Sequence, residues 1–85
     1  MDKLTEAQRR NLESVRDHGR PIPRSKAAYN CRVNGWSEFV WLFEDGETAT
    51  TTEKAPAEGC WLVKVVGEKL TELGRTALAS EGGGR

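Results

Sequence analysis

The side chains most able to do chemistry in this sequence are its arginines. Arg9, Arg10, Arg16, Arg20, Arg24, Lys26 and Arg32 fall within the first 32 residues, and between 16 and 32 the only acid is Asp17. Guanidinium forks match phosphate oxygens, and the neighbouring Tyr29 and Asn30 could approach bases, so the chemistry implied is neutralisation of a nucleic-acid backbone. The bland alternative is the solvated face of two short helices, partly balanced by Glu6, Glu13 and Asp17. A second cluster has the opposite sign. Trp41 and Phe43 are followed by Glu44, Asp45 and Glu47, which would make an acid-rimmed aromatic patch suited to a basic protein surface. In a chain this small, however, Trp36, Phe39, Trp41, Phe43 and Trp61 are most simply read as core.

Catalysis finds little footing. Ser25 and Ser37 have no histidine motif beside them, His18 is the only histidine and adjoins Gly19, and Glu44 and Asp45 read as turn residues. The chain has no Cys-x-x-Cys pair to start a zinc site. The expectation is a binding protein, not an enzyme, with no catalytic residues, metal or cofactor.

These residues need a scaffold, and 85 residues supply a modest one: 36% apolar, 31% charged, with three Trp among six aromatics. Such a chain buries roughly 60–65% of its unfolded surface. One small α+β domain over 1–80 is expected, with 81–85 as a disordered glycine-rich tail. No apolar run approaches the roughly 18–20 residues of a membrane span. The start "MDKLTEAQRR" does not read as a secretory signal, so a cytoplasmic location without membrane contact is the default. Cys31 and Cys60 could pair, although two cysteines in a chain of this kind are more often reduced.

Net charge is zero but unevenly laid out: residues 1–35 carry eight Lys/Arg against four Asp/Glu, 36–63 one against six, and 64–85 four against three. Thr5-Glu-Ala-Gln8 has the form of a capping box opening a helix with Leu4, Ala7, Gln8, Asn11, Leu12 and Val15 on one stripe. Gly19 and "RPIP" end it, and Ser25 can cap a short helix reaching Asn34-Gly35. "SEFVWLF" predicts a strand covered on both faces, or one that offers a face to a partner. Asp45-Gly46 predicts a two-residue hairpin turn, and Glu47 to Thr52 an exposed return strand. Cys60 to Gly67 reads as the central strand, with Gly67 turning the chain. A last helix starts at Thr71 and faces Leu70, Leu73, Ala77 and Leu78 inward.

The two outer helices open alike: "LTEAQRRNLES" from Leu4 and "LTELGRTALAS" from Leu70 share Leu, Thr, Glu, Arg, Leu and Ser at six positions. With no duplicated unit between them, this is one helix-starting device used twice, not a stacked repeat. "VGEKLTELGRTALA" also resembles the last strand and closing helix of small winged-helix proteins, and Leu4–Leu12 resembles their first helix. The nearest likeness is to the short winged-helix-like proteins of bacteriophages and other mobile elements, over roughly 25 of the 85 residues.

That resemblance implies two N-terminal helices, a small antiparallel sheet with an Asp-Gly hairpin and a C-terminal helix. It also implies a regulator of transcription that binds duplex DNA, homodimeric where two half-sites are read. A full helix-turn-helix has two helices between the first helix and the wing, whereas residues 18–36 leave room for one clear helix, and the would-be wing at 38–53 is acidic. The alternative is a viral inhibitor of the anti-CRISPR kind, its acidic aromatic hairpin docking on a basic host groove that normally holds nucleic acid.

Overall fold

The computed structural model describes residues 4–56 and 60–83. In chain order it comprises α1 (Glu6–His18), α2 (Lys26–Val33), β1 (Ser37–Phe43), β2 (Thr48–Thr50), β3 (Leu62–Leu70) and α3 (Glu72–Gly83). The fold class is α+β, as expected: three helices and one antiparallel sheet in the order β2-β1-β3.

α1 begins where the capping box requires. Thr5 Oγ1 accepts from the Gln8 N–H at 3.1 Å and Gln8 Oε1 from the Thr5 N–H at 2.9 Å. Gly19, in the left-handed region, closes the helix with its N–H on Val15 O. α2 is capped by Ser25, whose Oγ accepts from the Ala27 N–H at 3.1 Å. Leu12, Val15, Cys31, Leu70 and Leu78 form the core, with Leu4 and Trp36 packed against it. Truncating the fully buried Leu12 to alanine should cost about 2–5 kcal/mol.

Asn11 lies on the buried stripe for a reason beyond packing: its Oδ1 accepts from the Ile22 N–H at 2.9 Å. Ser14 Oγ donates to Arg20 O at 2.8 Å. α1 therefore fixes the course of the proline-bearing connection that carries Arg20 and Arg24 to α2.

Several expectations are corrected. The central strand is β1, not β3. β1 is apolar on both faces and can be flanked on both edges, whereas β3 carries exposed lysines and two register shifts, features that suit an edge. Gly67 does not turn the chain; β3 continues to Leu70. A Cβ at Gly67 would lie 2.6 Å from Gly19 O, so the glycine admits α1's end to the strand, where the Glu68 N–H donates to Gly19 O at 2.8 Å. The return strand is only Thr48–Thr50.

The connection into β2 is not a two-residue turn on Asp45-Gly46. Phe43 O accepts from the Gly46 N–H, the Phe43 N–H donates to Glu47 O, and Gly46 holds φ +88° as the third loop residue. Leu73 is more than half exposed, and Gly74 takes the inward place on α3. The tail foreseen at 81–85 is helical as far as Gly83, and 84–85 lie outside the described residues. Cys31 and Cys60 are both free thiols.

The aromatic core is also smaller than expected. Phe43 is 1% exposed, but Phe39 is partly open and Trp61 is 66% exposed. Among the described residues, no helix is long and apolar enough to cross a membrane.

Candidate nucleic-acid interface

The seven basic residues separate into two groups. Arg9 pairs with Glu13 at 3.1 Å, Arg10 with Glu6 at 2.8 Å and Arg16 with Asp17 at 2.8 Å. The last pair raises the Arg16 pKa and lowers that of Asp17, in each case chiefly through their mutual hydrogen bond. Arg32 is tied to the buried Glu68 at 2.6 Å and lies over the Phe39 ring, 4.7 Å from its centroid. Arg20, Arg24 and Lys26 have no ion-pair partner among the described residues, and all three are exposed. They stand on the connection into α2 and on its first turn, where the helix dipole adds positive potential.

α2 itself offers a clean outer stripe. Ala27, Ala28 and Cys31 are buried, while Lys26, Tyr29, Asn30 and Val33 are exposed at the i, i+3, i+4, i+7 spacing of one helix face. No carboxylate lies on this helix. The four side chains can address base edges in different ways: a cation for guanine acceptors or phosphate, a phenol, an amide suited to adenine, and an apolar cap for a thymine methyl. Sequence reasoning named Lys26, Tyr29 and Asn30 but missed Val33. Its signal was the seven-residue spacing from Lys26, with alanines filling the opposite face.

Of the second cluster, Glu44, Asp45 and Glu47 are exposed at the far end of β1, and Trp41 is half-buried. Phe43 is turned into the protein, with Lys54 Nζ 4.7 Å from its ring centroid. Trp61 replaces it at the surface, its carbonyl accepting from the Glu44 N–H at 2.9 Å. Asp45 pairs with Lys54 and Glu53 with Lys69. The Lys54 hydrogen bond, then that of the Glu47 N–H, hold the Asp45 carboxyl below its ordinary pKa; Lys69 and the Thr50 N–H do the same for Glu53.

Among the described residues, no three His, Cys, Asp or Glu side chains gather as a metal site. Comparison with protein-family models, curated proteins and solved structures finds no match to the chain.

Proposed function

We propose that the chain is a small non-catalytic DNA-binding protein of winged-helix-like design that uses α2 as its reading helix. The observation that carries this reading is the acid-free outer stripe of α2, Lys26, Tyr29, Asn30 and Val33, preceded by Arg20 and Arg24, which have no ion-pair partner among the described residues. The order of helices, sheet and closing helix supports it, as does the Leu-Thr-x-x-Gly-Arg-x-x-Leu opening of the last helix. A regulatory role on phage or mobile-element DNA follows from the resemblance at the two ends.

The test is anisotropy of a labelled duplex at about 50 and about 200 mM salt, where a binder making several phosphate contacts loses orders of magnitude in affinity. Replacing Arg20, Arg24 and Lys26 together by glutamate should abolish binding. Replacing the paired Arg9 and Arg10 should change it little. Undiminished binding in the triple variant would overturn the assignment.

A second reading, an inhibitor that docks its acidic tip on a basic host protein, is favoured by one observation: Trp61 is exposed beside Glu44. Lysine at Glu44, Asp45 and Glu47 would abolish that activity and leave DNA binding intact.

A further inference from the structure

Between α2 and β1 lies a groove of about 370 Å³ whose walls include Tyr29, Arg32, Val33, Phe39 and Trp41. Phe39 and Trp41 meet edge to face, ring centroids 6.4 Å apart, and Glu68 Oε2 fixes the Arg32 guanidinium over Phe39. Ser37 also lines this groove. The residue is 3% exposed, and its Oγ, itself enclosed, makes no hydrogen bond among the described residues. Ser37, Phe39 and Trp41 alternate along β1 and so share one sheet face. A buried hydroxyl without a partner is costly, and this one lies enclosed beneath the aromatic groove. The groove continues past Tyr29 and Arg32 into a second depression lined by Arg24 and Lys26. The carboxylate in the first lining, Glu38, already accepts from Thr52 Oγ1 at 2.8 Å.

We infer that this groove takes one unpaired nucleobase from a strand whose phosphates run along Arg24 and Lys26. The inference rests on the DNA-binding reading and extends it from duplex to unstacked bases. With one face of Phe39 taken by the Arg32 guanidinium, the base lies against the surface Phe39 leaves open, at 37% exposure, and against Trp41, both sequence-tolerant stacking surfaces. Charge complementarity selects this occupant: Arg24 and Lys26, with no ion-pair partner among the described residues, line the continuation of the groove, and Glu38 is engaged by Thr52.

The experiment compares three labelled probes at about 50 mM salt: a dT oligomer of about ten nucleotides, the same backbone with abasic residues, and an intact duplex. The dT oligomer should bind roughly tenfold or more tightly than the abasic strand. It should also quench tryptophan fluorescence, and that quench should be lost in Trp41→Phe. Phe39→Leu keeps apolar volume without the π face; with an unchanged melting temperature it should bring the dT-to-abasic ratio near one and leave duplex affinity unaltered.

A ratio near one in the native protein with the duplex still bound overturns the base site and leaves the DNA-binding reading standing. A preference that persists unchanged in Phe39→Leu also overturns it. Binding to none of the three probes removes both readings.

Discussion

Arg24 holds φ +58° between Pro23 and the capping residue Ser25, a left-handed conformation that costs a side-chain-bearing residue about 1–2 kcal/mol. The strain fits the need to bring a cation to the start of α2, since the backbone reaches that cap from a course pinned by Asn11 and Ser14. Arg24→Gly should therefore separate two properties. The melting temperature should rise or hold, because glycine adopts positive φ freely, although its looser unfolded chain offsets part of the gain. The slope of log affinity against log salt should fall by about 0.9, the share of one phosphate contact. A loss of stability would show that the arginine side chain carries structure. Ser37 gives a parallel case: Ser37→Ala removes an unpartnered buried hydroxyl, so stability should rise by about 1 kcal/mol in a denaturant titration.

At the scale of elements, the repeated Leu-Thr-Glu opening resolves into two different tasks. On α1 the fourth residue of the pattern after leucine is Gln8, which completes a capping box. On α3 the matching position is Gly74, where a Cβ would come within 1.8 Å of Trp36 O. The Thr71 N–H donates to that same carbonyl, Thr71 Oγ1 donates to Gly35 O, and Arg75 reaches back to Leu70 O. The closing helix is thus clamped backbone to backbone onto the junction of α2 and β1. Gly74→Ala should destabilise by about 2 kcal/mol or more despite alanine's better helix propensity, because the clash is with a carbonyl and no flexible side chain can yield. A rise in melting temperature would refute the clamp.

This clamp shows where the sequence was readable. Caps at Thr5 and Ser25, the stop at Gly19 and the apolar run of β1 are local chemistry and lay open to inspection. Gly67 and Gly74 are glycines because distant backbones pass them, so their roles depended on contacts no local pattern encodes. Likewise, Phe39, Phe43 and Trp61 are all aromatic, yet which one is buried depends on sheet order, and an apolar run does not distinguish a central from an edge strand. The basic residues were visible as a group. Their division into paired and free was not, because partners such as Glu68 lie up to 36 residues away.

At the scale of the molecule, a neutral chain is drawn out to 47 Å along its longest axis, with exposed cations before α2 and carboxylates at the end of β1. Two surface ion pairs on the sheet, one at the end of β1 and one beside its start, set the response to acid. Asp45 faces Lys54 with the Glu47 N–H and Cys60 nearby, and Glu53 faces Lys69 with Thr50. Both carboxyl pKa values are lowered in the folded protein, so each contributes stability above its unfolded pKa, near 4, and loses it as pH falls through the lower folded value. The Lys54 pKa is raised, chiefly by its hydrogen bond with Asp45, so its contribution is complete below the ordinary lysine pKa and lost only in strong alkali. The melting temperature should therefore stay level from about pH 7 to about pH 5 and decline below about pH 4. Replacing Asp45 by Asn and Glu53 by Gln keeps acceptors for the Glu47 and Thr50 N–H groups but removes both titrations. That double variant should lose some stability at pH 7 and show a shallower acid decline, the two curves converging as pH falls. An unchanged acid limb would mean that these solvent-exposed pairs are too well screened to couple to folding.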